Sequence, residues 1–156
     1  MKKNKVMTNT FEFLIELKHN NNREWFNENK ASYEEAKAVA SEVFQQIFNE
    51  IDEIDKVDRF KIYRIYRDIR FSSDKTPYKT HLSAFIGRKQ PHHRGGFYIH
   101  IEPDNCFIGG GFWGPEKNDL LRIRTAIAES DDLERILNQK ELKENYGELY
   151  LSLIHI

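Results

Sequence analysis

The feature that most limits what this chain can become is a change of hydrophobic period at Phe60 and its reversal after Phe112. Ahead of Phe60, apolar residues recur three and four apart: first Phe11, Leu14, Ile15 and Leu17, then Trp25, Phe26, Tyr33, Ala36, Ala40, Val43, Phe44, Ile47 and Ile51. Such intervals lay one apolar stripe along a helix. From Phe60 the interval becomes two, in FKIYRIYR, KTHLSAFIG, GFYIHIE and CFIGGGF, all rich in β-branched and aromatic side chains. Helical spacing returns after Gly114, with Leu120, Leu121, Ile123, Ala126 and Ile127 as one buried face and Leu133, Ile136 and Leu137 as another. Grouped helices, grouped strands and grouped helices predict an α+β fold with N-terminal helices, a central, mainly antiparallel four-stranded sheet and C-terminal helices. Alternation within the strands gives each an apolar and a polar face, so helices should cover mainly one side.

Local signals set the boundaries. Thr10 is placed to cap the first helix, and Asn20-Asn21-Asn22 ends it. Asn21 with Glu24 has the spacing of a capping box, and it opens a long helix over residues 22–54 with a kink near Asn29. A turn within Glu102-Pro103-Asp104-Asn105-Cys106 makes the last two strands a hairpin. Pro115 suits a first helical position, and Ser130 with Asp131 and Asp132 begins a final helix that ends by Gly147.

A length of 156 residues with 39% hydrophobic side chains supports one core, read as a single domain over residues 1–150. Lys2, Lys3 and Lys5 resemble the start of a secretory leader, but Asn9, Thr10, Glu12 and Glu16 occupy the place of its apolar block. No run is long and apolar enough for a membrane span, and the lone Cys106 excludes an internal disulfide. These features predict a cytoplasmic protein without membrane attachment.

Charge is segregated beneath a net value of -1. Residues 59–94 hold ten Lys and Arg against only Asp68 and Asp74, whereas residues 1–58 hold 8 basic and 12 acidic side chains and residues 95–156 hold 6 and 11. A basic third between acidic flanks points to a local anion site rather than to a surface that coats nucleic acid. Within it lies RIYRDIRFSSDKTPYKTH, from Arg64 to His81. On a strand, Arg64, Tyr66, Asp68 and Arg70 face one way and Arg67 the other. Three guanidiniums with Lys75 and Lys79 form a donor set matched to phosphate or carboxylate, and the competing reading is a network neutralised by Asp68, Asp74 and helix glutamates.

This block resembles the conserved hypothetical proteins grouped as domain of unknown function 2461. FEFLIELKHNNNREWFNENKASYE from Phe11 to Glu34 and GGFYIHIEPDNCFIGGGFWGPEKNDLLRIRTAI from Gly95 to Ile127 share the likeness, which runs from Phe11 to Glu144. The resemblance implies no reaction, cofactor or catalytic residue. It does imply that Arg64, Tyr66, Arg67, Asp68, Arg70, Ser72, Asp74, Lys75, Pro77, Tyr78, Lys79 and His81 act as a unit. Members of the family extend further at the C-terminus. Leu151 to Ile156, LSLIHI, look like an in-frame translation of a sequencing adapter, so the chain is expected to be truncated at the C-terminus with its natural sequence ending near Tyr150, the alternative being an ordinary apolar terminal strand.

Three weaker constellations remain. Tyr98, His100 and Glu102 share one strand face, where an imidazole beside a carboxylate makes an acid/base pair or two metal ligands, with His81 joining if its strand is adjacent. A polar sheet surface is the simpler expectation, and no metal is assigned. His92 and His93 sit in a loop and are read as solvated. Gly109-Gly110-Gly111 lacks the phosphate-binding glycine patterns, and the expectation is that it lets a ring or helix approach the sheet. Trp25 and Trp113 are read as core or pocket wall.

The favoured function is binding of a small anionic ligand, bearing phosphate or carboxylate, in a basic sheet-lined cleft. Arg64, Tyr66, Arg67, Arg70, Lys75, Lys79 and His81 are its ligand-binding residues, and His81, His100 and Asp68 are the catalytic candidates should a reaction follow. No cofactor is identified. The alternatives are a nucleic-acid-binding module, which the pI near 6.6 disfavours, and a protein-interaction domain with a basic patch. Deletion of residues 151–156 should leave the melting temperature unchanged within error, as followed by circular dichroism.

Overall fold

Helix gives way to strand between Ile54 and Val57, three residues ahead of the period change, in the computed structural model, which describes residues 2–90 and 94–147. His92, His93 and Leu151 to Ile156 lie outside the described residues. The chain divides after Phe112 into two compact units. The first holds helices α1 (Lys2–His19), α2 (Arg23–Glu28) and α3 (Lys30–Ile54), then strands β1 (Val57–Ile62), β2 (Leu82–Arg88), β3 (Gly96–Ile101) and β4 (Phe107–Gly111). The second holds α4 (Lys117–Glu129), α5 (Asp132–Leu137) and α6 (Lys140–Tyr146). The class is α+β, and the strands form one antiparallel sheet in the order β1-β2-β3-β4.

Strand alternation decides which side is apolar. Ala84, Ile86, Ile99 and Ile101 turn to one face, where they join Leu14, Leu17, Ala36, Ala40 and Phe44 of α1 and α3 in the core. Phe48 of α3 and Phe60 of β1 pack with ring centroids 5.2 Å apart, closing the same layer at its edge. Among the described residues, no helix is long and apolar enough to cross a membrane.

Several boundaries differ from expectation, each for a local reason. Thr10 does not cap α1 but lies inside it, fully buried, because the helix begins eight residues earlier. Asn22, not Asn21, caps α2 by accepting the Trp25 N–H at 3.0 Å. The expected long helix breaks at Asn29, whose side-chain amide donates to the Trp25 carbonyl at 2.9 Å while its own carbonyl starts α3. Strand β1 stops at Ile62, because the residues that continue its alternation pair elsewhere. Helix α4 starts two residues after Pro115, with Glu116 at its N-cap. The last expected helix is two short ones interrupted at Asn138 and Gln139, although Gly147 ends α6 as expected, at φ 71°.

The apolar residues of α4 and α5 are not buried as expected. Leu121 is 65% exposed, and Leu120, Ile123, Ile127, Leu133 and Ile136 are exposed too. Helix α4 keeps its apolar spacing over thirteen residues, but α5 and α6, at six and seven, are each two turns or fewer and offer it little surface to pack on. Trp25 joins the core as expected and lies 6.0 Å from Phe13, whereas Trp113 is 99% exposed.

Asn21, released from capping, bonds across 57 residues to both backbone groups of Tyr78: its amide donates to the carbonyl at 3.0 Å and its oxygen accepts the N–H at 3.1 Å. Asn21→Ala leaves two partly buried backbone groups unpaired and should cost about 2 kcal/mol. Asn22→Ala, which removes only a helix cap, should cost about 1 kcal/mol. Urea unfolding of the two variants measures the difference.

Candidate functional site

The family-like block is the connection between β1 and β2, and most of it is neither helix nor strand. Its limbs are pinned by a single bridge between Tyr66 and Tyr78, flanked by Arg67 N–H to the Pro77 carbonyl at 2.9 Å and Lys79 N–H to the Ile65 carbonyl at 2.8 Å. Side chains supply what the ladder lacks. Tyr78 stacks on Phe26 with centroids 3.9 Å apart at 13°, and Tyr66 sits 5.4 Å from Tyr78. Buried Ile65 fills the space beneath. The bridge leaves residues 68–76 as a loop, with Phe71 98% exposed near its tip.

Most cations of the loop find acceptors within it. Arg70 sets its planar fork on Asp68, with Nε at 2.9 Å and Nη2 at 2.6 Å, and these bonds hold the Asp68 carboxyl below its usual value. Asp74 is lowered to about 2, first by the Thr76 backbone N–H and then by the Arg67 guanidinium and the Thr76 hydroxyl. Arg67 also meets the Thr76 hydroxyl, and Lys75 donates to the Ile69 carbonyl at 3.0 Å. Outside the loop, Arg88 clamps Asp55 at the end of α3 with Nε at 2.6 Å. The expected neutralisation by helix glutamates is thus absent from these described pairs, and aspartates carry it instead.

Arg64 and Lys79 differ from Arg67, Arg70 and Lys75 in having no described side-chain hydrogen-bond acceptor, although the Arg64 charge also acts on Asp68. Neither makes an ion pair with a described carboxylate. Lys79 Nζ lies 5.4 Å from the Tyr63 ring centroid, and its pKa is lowered by burial and then by the Arg64 charge.

The register carries this basic edge onto the polar face of the sheet. Ser83 pairs with His100 and His100 with Phe107, so Tyr98, His100, Glu102 and Phe107 stand together while His81 enters from the residue before β2. The His81 and His100 rings are 4.2 Å apart, and Phe107 stacks on His100 at 4.8 Å and 13°. Tyr98 Oη lies 3.3 Å from His100 Nδ1, and His100 Nε2 lies 3.1 Å from Glu102 Oε2. Glu102 also accepts from Asn105 at 2.9 Å and Thr80 at 3.0 Å, and with the Asn105 bond foremost its pKa falls to about 2. Burial, then the neighbouring His100 and Lys79, lowers His81 to about 4, so its imidazole is neutral at neutral pH.

Of the expected ligand set, Lys79 and His81 lie at this face and the exposed Arg64 acts on Lys79 electrostatically, while Arg67, Arg70 and Lys75 are engaged in the loop and Tyr66 in the aromatic packing. Asp68 is bound to Arg70 and stands outside the group that His81 and His100 form with Glu102. Thr80 and Asn105, which hold Glu102, went unnoticed in the sequence; the position of Thr80 beside His81 and of Asn105 in the turn was the available signal. Within the glycine triplet a ring lies against Gly110, where a Cβ would meet Phe97 at 3.5 Å, an ordinary contact, and a Cβ at Gly109 or Gly111 would meet nothing within 4 Å; the tighter approach is at Gly96, where a Cβ would come within 2.7 Å of the Phe85 ring. A separate recess of about 330 Å³ between α1 and α3 is rimmed by Glu12, Glu16 and Glu35, a charge that repels anions.

The architecture is that of an α+β domain whose antiparallel sheet carries helices on its apolar face and a histidine cluster on its polar one. The chain belongs to the family described as conserved hypothetical protein (DUF2461), whose profile matches residues 9–152. No curated protein and no solved structure matches it.

The pKa shifts give a signed pH dependence. His81 binds its proton more weakly folded than unfolded, so stability should fall as pH drops from 6.5 to about 4. Glu102 has its pKa lowered from 4.5 to about 2, which places its loss of stability in that lower window. His81→Gln should flatten the melting temperature between pH 6.5 and 4 relative to wild type and leave the lower window unchanged, as read by thermal melts across that range.

Proposed function

We propose that this domain binds a small anionic molecule, bearing phosphate or carboxylate, at the polar sheet face between Arg64, Lys79 and His81. The observation that carries the reading is the pair of neighbouring cations, Arg64 and Lys79, neither within ion-pair or hydrogen-bond distance of a described carboxylate though Arg64 acts on Asp68 from further off, beside a loop whose other cations have close acceptors. Burial first, and the like charge of Arg64 second, disfavour the charged form of Lys79 and lower its pKa. An anion bound between the two cations favours that charged form, with the guanidinium fork fixing orientation and the ammonium adding charge. Tyr66, Arg67, Arg70 and Lys75 then form the rim rather than the floor. If the ligand reacts, neutral His81 is a proton acceptor, and His100, oriented by Tyr98 and Glu102, is its partner. The compartment we assign is the cytoplasm, in keeping with the exposed, unpaired Cys106.

A nucleic-acid reading rests on one observation, the exposed Phe71 ring beside Arg70 in a basic loop, which offers a stacking platform. The paired state of the loop cations and the acidic flanks weigh against it. The basic patch also suits an acidic protein segment.

A ligand that binds only the folded state raises stability by about 2.7 kcal/mol at 100 times its Kd. Inorganic phosphate and a panel of phosphorylated and carboxylated metabolites should therefore raise the wild-type melting temperature. Arg64→Ala and Lys79→Ala should remove most of that gain, and Arg70→Ala should retain it. If no compound of the panel stabilises the wild type, the anion reading is wrong. Binding of a single-stranded oligonucleotide with a steep salt dependence would favour the nucleic-acid reading instead.

A further inference from the structure

We propose that His81, His100 and Glu102 form a binding site for a divalent first-row transition-metal ion such as Zn²⁺. Their three donor atoms all lie within 4.8 Å of one another, although the residues come from separate parts of the chain. His100 lies on β3 and Glu102 directly follows its last residue, two positions on, so that the two side chains meet, while His81 arrives from the residue before the neighbouring strand. Donors on one Zn²⁺ sit about 2.0–2.2 Å from it and hence roughly 3–4 Å from each other. The His100 Nε2 to Glu102 Oε2 distance of 3.1 Å already meets that spacing. Closing the widest pair takes a movement of about 1 Å, within a small side-chain rotation.

The chemistry of the set selects the ion. Two imidazoles and one carboxylate suit zinc and its neighbours, whereas calcium and magnesium prefer oxygen alone. The surrounding residues supply the outer support that such ligands use. Tyr98 Oη engages His100 Nδ1, which leaves Nε2 to face Glu102; when the ion takes Nε2, the imidazole proton resides on Nδ1 and is donated to the tyrosine oxygen. Thr80 and Asn105 fix the two carboxylate oxygens of Glu102. Phe107 packs flat on the His100 ring and restrains its orientation. His81 has no hydrogen-bond partner among the described residues, which leaves its ring nitrogens to the ion. Three protein ligands leave a fourth position for water or a bound molecule, the arrangement of catalytic rather than structural zinc sites. This inference rests on these side chains alone and does not depend on anion binding.

The test is titration of the chelator-treated full chain with Zn²⁺ by calorimetry and with Co²⁺ by its visible d–d absorption, in a buffer that binds neither. One ion per chain is expected, with a Co²⁺ band characteristic of nitrogen and oxygen ligation. Tyr98→Phe should weaken binding roughly tenfold, and His81→Ala and Glu102→Gln should weaken it by more than the roughly 10- to 100-fold typical of losing an outer partner. A double variant, His92→Ala with His93→Ala, should bind as the wild type does. Glu102→Gln preserves shape, so it and the Co²⁺ spectrum decide the matter if His81→Ala does not fold. Absence of binding to the wild type, or binding that survives both His81→Ala and Glu102→Gln, or loss in the His92/His93 variant, overturns the proposal and leaves an acid/base cluster. With the phosphate experiments run in excess chelator and the metal titrations run without phosphate or the metabolite panel, failure of one reading is distinct from failure of the other.

Discussion

The polar site depends on a joint made by one side-chain amide. Asn21 imitates a backbone strand, exchanging both of its hydrogen bonds with Tyr78, and Phe26 presses on the tyrosine ring from the same helical region. The stretch from Tyr63 to His81 has almost no ladder of its own, and fixing each backbone residue costs about 1–2 kcal/mol in entropy. Aromatic burial and the asparagine clamp offset that cost at the centre of the segment. Lys79 is one residue past the clamp and His81 three, so both inherit its position, and Leu82 then enters the regular sheet. The break between α1 and α2 is thus part of the site's foundation as well as a helix boundary.

Two electrostatic regimes sit side by side on this foundation. In the loop, Arg67 with Asp74 and Arg70 with Asp68 are close pairs, exposed except for the half-buried Arg67, where water screens them and their worth to stability is small. Their effect is geometric: they give the loop a shape. Around His81 the groups are half-buried, and burial, foremost at His81 itself, joins the same kinds of contact in shifting protonation. Fewer waters surround each group there, so a neighbour's charge reaches further.

The fold class was legible because the hydrophobic period changes sharply, and the break at Asn29 because asparagine competes with helical hydrogen bonding. Which of three consecutive asparagines caps α2 was not, since the choice is made by Tyr78 far along the chain. The alternation of FKIYRIYR was real but misleading: Ile65 is buried and Tyr66 bridged, yet their partners are Pro77 to Lys79 rather than the sheet. The basic block was visible as a charge excess. Its division into answered and unanswered cations was hidden, because it rests on a loop conformation that places Asp68 two residues and Asp74 seven residues from their arginines. The apolar spacing of α4 and α5 showed amphipathic helices and said nothing of what, if anything, covers them.

The ends of the sheet carry a consequence for how molecules meet one another. Strands β1 and β4 are its margins, and each presents backbone groups that a neighbouring chain can join. On one margin, β1 is interrupted by an irregularity between Val57 and Arg59 and carries Asp58, Arg59 and Lys61. On the other, β4 is five residues long and three of them are glycine, the residue least inclined to stay extended and with no side chain to interlock. One border repels by charge and kink, and the other by slackness. Neither is a good template for a fifth strand, so the sheet limits its own growth at high concentration.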